Sequence, residues 1–274
     1  MGLALGALIA CGAPAARLKA RAASLGFETG VVTGAGFEHR IFWRRGTPDE
    51  TVHIYLDGDG LPWRQGEPSR DPTPRNPLVL DLMALDPAPV VYIGRPCYHG
   101  QAGAPGCTSR LWTAERYSEA VVASLEAAAR RVVAQGGYPR LRWFGYSGGG
   151  ALVMLLAPRV AETVGVVTVA ANLDTEAWTA LHGHAPLAGS LNPASAPPLA
   201  ARVSQRHYAG GRDRIVPPGI VARGPIPPGS LRVVAEYDHI CCWKALWPSV
   251  LREASDAPAG RQEPGRTKKK SPPS

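Results

Sequence analysis

The 274 residues are 45% apolar and 19% charged, enough to bury a substantial core in one large α/β domain or two small ones. No apolar run reaches the ~18–20 residues that cross a bilayer as a helix. The formal net charge is +8, but Arg261, Arg266, Lys268, Lys269 and Lys270 against Glu263 place +4 of it in residues 261–274. The other arginines are scattered with no nucleic-acid-binding signature, so no nucleic-acid partner is expected.

The chain begins "MGLALGALIACGAP", a short apolar stretch ending Leu8-Ile9-Ala10-Cys11 before Gly12. The pattern resembles a bacterial lipobox, in which cleavage precedes a cysteine that then carries a lipid. The basic residue that normally precedes the apolar stretch is missing. Residues 1–11 therefore read as a truncated lipoprotein signal with Cys11 as lipid site and membrane anchor. The expected location is the bacterial cell envelope, with the cytoplasm as the alternative. A catalytic domain is expected over 12–255. The basic, Pro-rich tail over 256–274 is expected to be disordered.

Along the chain, 13–26 suits a short helix, followed by β-like runs at 31–33 and 39–44. "TVHIYLDGDG" reads as a strand over 52–56 ending in a glycine-punctuated turn. A Pro/Arg loop leads to a helix over 76–85, and "PVVYIGRP" has the continuous apolar character of a strand buried on both faces. Thr113 is the expected cap of a long helix reaching about Gln135, closed by Gly136-Gly137. The strand "LRWFGY", a helix over 148–157 and the strand "VGVVTVA" follow. Residues 175–199 are rich in Pro, Ala, His and Gly and read as an irregular excursion. The strands "RVSQRHYAG" and "LRVVAEY" and a helix over 243–253 close the domain. Alternating strands and helices from Thr51 onward imply a mostly parallel sheet with helices on both faces.

With Cys11 set aside, four cysteines remain. Cys97 and Cys107 flank a Gly/Pro-rich loop that a disulfide would staple, contributing about 2–3 kcal/mol. The loop follows a strand at the same sheet end as Ser147, so it is expected to form part of the pocket wall. Cys241 and Cys242 are adjacent, and a vicinal disulfide, other pairings and free thiols all remain open.

The chemistry centres on Gly145-Tyr146-Ser147-Gly148-Gly149, a G-x-S-x-G between a strand and a helix. Such a turn holds the serine in a strained conformation, and side chains on its flanks would strike the neighbouring elements. A serine nucleophile needs a base oriented by a carboxylate. Of the histidines after Ser147, His239 sits between the last strand and the last helix, where the base belongs. His207 lies within a strand, and His182 and His184 lie in the excursion. Asp213, in a loop after a strand, is the expected acid, with Asp174 the alternative and Asp238 read as structural. The expected oxyanion donors are the N–H of Gly148 and, from the "LDGDG" turn, that of Asp59, with Gly58 permitting the turn. The turn lacks the later ligand positions of a calcium loop, and His239, Cys241 and Cys242 are too close in sequence for a usual zinc site. No metal and no cofactor are expected.

From about Thr51 to Glu253 the motifs "GYSGGG", "GGRDRIVP" and "DHICCW", in that order, resemble the α/β-hydrolase superfamily. "YLDGDG", "RPCYHG", "WTAERYSEAV", "NLDTEAWTALHG" and "SLNP" look like a group of uncharacterised bacterial α/β-hydrolases, many of them described as lipoproteins. The resemblance implies an α/β-hydrolase fold with irregular cap loops and an acyl-enzyme mechanism on Ser147, His239 and Asp213. The expected activity is a serine hydrolase, carboxylesterase- or lipase-like, acting on an ester, thioester or amide of a small acyl substrate. Acyltransfer by the same triad, or a non-catalytic envelope protein keeping the fold, are the alternatives. Specificity is expected to reside in loops 64–76, 97–110 and 175–199.

Overall fold

A computed structural model describes residues 13–47 and 50–256. Cys11 with the expected signal segment, and the tail from residue 257, lie outside the described residues. The elements run α1 (Pro14–Ser24), β1 (Glu28–Thr33), β2 (Glu38–Arg44), β3 (Thr51–Leu56), β4 (Trp63–Arg64), β5 (Glu67–Pro68), α2 (Leu78–Ala84) and β6 (Val90–Ile93). They continue with α3 (Glu119–Gly136), β7 (Arg140–Tyr146), α4 (Gly148–Leu156), β8 (Thr163–Val169), α5 (Thr175–Leu181), β9 (Ser204–Gly210), α6 (Pro218–Val221), β10 (Leu231–Val234) and α7 (Trp243–Ser255).

Eight strands form one sheet in the order β1-β2-β6-β3-β7-β8-β9-β10. The β1–β2 and β2–β6 pairs are antiparallel, and every later pair is parallel. Parallel neighbours require crossovers, and the helices that make them cover the sheet. Successive side chains therefore enter opposite cores. Val52, Ile54 and Leu56 of β3 and Leu141 and Trp143 of β7 join α3 and α4 on one face. Tyr55 and Phe144 join α1, α2 and α7 on the other, where their rings stack at 4.6 Å with Trp247 beside them. With both faces covered, β3 is buried at every position. The same holds for β6, which accounts for the continuous apolar run of "PVVYIGRP".

Three local expectations are corrected. The long helix α3 starts at Glu119, capped by Ser118 rather than Thr113. The Thr113 hydroxyl instead donates to Ser109 O, closing a 3-10 turn over Ser109–Trp112. Thr175–Leu181 is a helix, because the Asp174 side chain accepts from the Ala177 N–H and caps it. Within the Pro/Arg loop, β4 and β5 form a small hairpin whose two linking residues, Gln65 and Gly66, both have positive φ, as a type I′ turn requires.

The packing of α4 against β3 depends on an absent side chain. A Cβ on Gly149 would overlap the Leu56 carbonyl oxygen and lie 2.6 Å from that of Asp57. We expect Gly149→Ala to cost about 1–3 kcal/mol of stability, because backbone on both sides must move. Gly219→Ala in α6, where a Cβ meets nothing within 4 Å, should be neutral or stabilise by up to about 1 kcal/mol. Urea midpoints of the two variants check this, and similar values for both would contradict the packing argument.

Candidate active site

Ser147 occupies the turn from β7 into α4 with φ +52° and ψ −122°, a conformation that a non-glycine residue adopts only when held. Its N–H donates to Val169 O, and its carbonyl accepts from Gly150 N, both at 2.9 Å. A side chain at Gly145 would press within 2.6 Å of Gly149 O and 2.7 Å of Val153 Cγ2. The serine is thus pinned on both sides by β8 and by the first turn of α4.

The chain returns His239 to this point from the segment after β10. Its Nε2 lies 3.1 Å from Ser147 Oγ, and its Nδ1 lies 2.8 Å from Asp213 Oδ2. The other carboxylate oxygen of Asp213 accepts the N–H groups of Ile215 and Val216, each at 2.8 Å. With both oxygens acting as acceptors, Nδ1 carries the imidazole proton and Nε2 faces the serine hydroxyl as an acceptor. Asp213 is 4% exposed and His239 8%, so both work in a largely dry setting. Asp238, read as structural, accepts from the N–H groups of Ile240 and Cys241 and shapes the histidine loop.

Tyr146 was not singled out in the sequence. Its hydroxyl donates to the His239 carbonyl at 3.0 Å, and its ring packs on the imidazole with centroids 5.2 Å apart. Burial pushes its pKa upward, so the phenol keeps the proton it donates. Trp243 Nε1 donates to the same carbonyl at 3.1 Å.

The alternatives read from the sequence are placed elsewhere. Asp174 caps α5 and accepts from Arg223 and Asn192. His207 is buried in β9 against Thr168 Oγ1 at 2.8 Å. His182 and His184 stack on each other and meet the Trp178 ring edge-on. Among the described residues no group of histidine, cysteine or acidic side chains is placed to hold a metal ion.

Beside the serine lies the turn Asp57-Gly58-Asp59. A Cβ on Gly58 would stand 3.2 Å from Ser147 Cβ, so the glycine brings this backbone against the serine. The Gly58 N–H donates to Asp57 Oδ1 at 2.7 Å. Asp59 turns its carboxylate over Gly148 and accepts from Arg95 Nη1 at 2.7 Å and from Arg116 Nη1 and Tyr117 OH at 2.8 Å. Tyr98 OH donates to the Asp59 carbonyl, and Arg95 Nη2 to that of Gly148. Burial alone would raise the Asp59 pKa, but Arg95 and Arg116 outweigh it and hold the carboxyl down to about 2. Burial pushes Asp57 up to about 7, only partly offset by the Gly58 N–H and Arg95. Arg95, Arg116 and Tyr117 were not assigned roles from the sequence. The signal that could have found them is charge and phenol within "GRP" and "ERYSEA", next to apolar elements.

Ser147 and His239 open into a cavity of about 370 Å³ bordered also by Gly58, Asp59, Arg116 and Trp178. Loop 64–76 contributes Pro74, Arg75 and Asn76, and 175–199 contributes Trp178. The Cys97–Cys107 loop does not border it, which corrects the expected pocket wall. The two sulfurs are at disulfide distance, Cα atoms 5.5 Å apart, and the loop borders a separate cavity with Gly36, Phe37 and Glu38 of the β1–β2 turn. The sulfurs of Cys241 and Cys242 also lie at disulfide distance.

This sheet, with a serine at a tight strand-to-helix turn and a histidine and aspartate reaching it from later loops, is the α/β-hydrolase fold. Solved structures of that fold resemble it along most of its length. An α/β serine hydrolase without a lid from Xanthomonas campestris matches with a TM-score of 0.53 and 15% identity, covering 85% of this chain and 97% of that one. An esterase from Pyrococcus furiosus matches at 0.57 and 14%, covering 85% and 92%. The acylaminoacyl peptidase of Pyrococcus horikoshii matches at 0.57 and 11%, covering 88% of this chain but 43% of the peptidase. By sequence alone, no family model and no curated protein matches the chain.

Buried titratable groups make stability depend on pH. Burial lowers the pKa of His39 and His207 to about 4 and that of His99 to about 3. The unfolded chain protonates these histidines near pH 6.5 while the fold keeps them neutral, so their stability contribution is lost as pH falls from there towards 4. Asp57 acts in the opposite sense, since the fold keeps its proton up to about pH 7. Three histidines against one carboxyl leave about two protons. Unfolding free energy should therefore fall by about 2–3 kcal/mol per pH unit near pH 5. Urea melts between pH 7 and pH 4.5 measure this, and a flat profile would contradict the burial of these groups.

Proposed function

We propose that the protein is a serine hydrolase that works through an acyl-enzyme on Ser147. The observation that carries this reading is the continuous hydrogen-bond chain from Ser147 Oγ through His239 to Asp213, opening on a cavity. His239 Nε2 removes the hydroxyl proton as Oγ bonds to the substrate carbonyl carbon. The carbonyl oxygen becomes an oxyanion, which the N–H of Gly148 at the start of α4 and that of Asp59 stabilise. His239 gives its proton to the leaving group as the carbon–heteroatom bond breaks. Water, deprotonated by the same nitrogen, then releases the acid and frees Ser147. Asp213 holds the tautomer and balances the imidazolium.

The Asp59 carboxylate would oppose an oxyanion if it were unpaired. Clamped by two guanidinium groups, it leaves a local positive surplus that favours one. The solved relatives include esterases and a peptidase, which supports hydrolysis of an acyl bond. Ester substrates are the natural first assay.

Ser147→Ala should abolish both 4-nitrophenyl acetate hydrolysis and covalent labelling by a fluorophosphonate while keeping the unfolding midpoint. Substantial activity in the folded variant would overturn the proposal. Asp213→Asn should lower kcat by about 10³–10⁴-fold, through loss of the tautomer and of charge balance. Asp174→Ala should instead cost about 1 kcal/mol of stability as a lost helix cap, with less than a tenfold effect on kcat. The opposite pattern would move the orienting role to Asp174.

A further inference from the structure

We propose that the cavity over Ser147 selects an acyl compound bearing a negatively charged group, a carboxylate or a comparable oxyanion, which Arg116 and Arg75 recognise. The inference rests on the hydrolase reading and adds a substrate class to it.

Arg116 is 6% exposed and fixed at two points. Its Nε donates to Thr113 O at 2.7 Å, and its Nη1 donates to Asp59 Oδ2 at 2.8 Å. Its Nη2 donates to none of the described residues. The Asp59 carboxylate is engaged by Arg95 Nη1, Arg116 Nη1 and the Tyr117 hydroxyl, and receives nothing from Nη2.

Arg116 borders two cavities. One is the space over Ser147, and the other, of about 590 Å³, is bordered by Trp63, Thr113, Pro186 and Leu187. Pro62, Arg116 and Trp178 border both. A compound that reaches from Ser147 into the second space would run along the border the two share, which Arg116 helps to form. A wholly apolar chain would strip water from Nη2 and leave a charged donor unpaired, which costs about 1–3 kcal/mol or more. An anionic oxygen there forms a charge-assisted bond to a donor already fixed in place.

The charges facing the cavity agree. Arg75 borders it and is exposed, with no ion pair to a described residue. The Asp59 charge is offset twice over, by Arg95 and Arg116. Asp57 is pushed towards its neutral form by burial. Asp213 and Asp238 belong to the histidine side and do not border the cavity. Positive charge therefore predominates among the charged side chains that border the cavity.

The test uses two matched pairs, with spontaneous hydrolysis subtracted. In the first, mono-4-nitrophenyl glutarate against 4-nitrophenyl pentanoate, the charge is on the acyl side. In the second, 4-carboxyphenyl acetate against 4-methylphenyl acetate, it is on the leaving group. The readout is the charged-to-neutral ratio of kcat/KM in the native protein, Arg116→Gln, Arg75→Ala and Arg75→Lys. At least one pair should show its ratio falling about tenfold in Arg116→Gln. The fall should be about threefold in Arg75→Ala, whose exposed charge is screened, with recovery in Arg75→Lys and a loss of preference in 0.5 M salt. The pair that responds tells which side of the scissile bond carries the charge. If Arg116 only positions Asp59, both members of each pair fall together and the ratio stays constant, which overturns the proposal. Unchanged ratios in the Arg75 variants as well would leave no arginine reading charge. Absence of all hydrolysis together with absence of fluorophosphonate labelling at Ser147 would instead overturn the hydrolase reading, and this inference with it.

Discussion

The N-terminus of α4 lies directly on the backbone of Leu56 and Asp57 at the end of β3, with only hydrogens between them at Gly149. That approach sets the distance between the serine turn and the Asp57-Gly58-Asp59 turn. It also lets the Gly148 N–H, the positive end of α4 and the Asp59 backbone border one small volume. Apolar residues all round hold α4 in place, since every residue from Gly148 to Leu156 is buried. The positive φ of Ser147 is sustained by hydrogen bonds to β8 and within α4 rather than by any property of serine.

Buried charge is the second constraint. Two arginines, two tyrosine hydroxyls and one carboxylate share the space behind Gly148, and the anion is paired on every side. Such clusters are costly to desolvate, so packing alone gives little reason to keep one. Here the cluster fixes the Asp59 backbone and leaves a surplus of positive charge beside the serine. The three polar groups of the Ser147 chain are arranged oppositely, with the only carboxylate on the far side of the imidazole.

Different parts of the site were legible to different degrees. Ser147 carries its own signal in the flanking glycines. His239 and Asp213 carry theirs in position, each just after a strand in an alternating pattern. Arg95, Arg116 and Tyr117 act across 36, 57 and 58 residues of sequence, so their pairing with Asp59 has no local signature. Thr113 and Ser118 both have cap chemistry, and only the 3-10 turn ahead of them decides which is used. The helix α5 was hidden by the composition of the residues after it, although its capping aspartate is local. The Cys97–Cys107 loop follows a strand as the site loops do, yet it folds towards the β1–β2 turn, a direction that spacing along the chain does not encode.

By itself the sequence determined the alternation of strands and helices, the doubly buried sheet and the serine turn, because each is written in periodicity or in glycine placement over a few neighbouring residues. It also singled out Ser147, Asp213 and His239, in that order along the chain, as the candidate site. The tertiary structure alone decided which carboxylate meets His239, which arginines neutralise Asp59, that the Gly58 N–H is taken by Asp57, and which loops border the cavity. These are contacts between segments tens of residues apart, settled by how two cores pack on one sheet and where buried charges find partners.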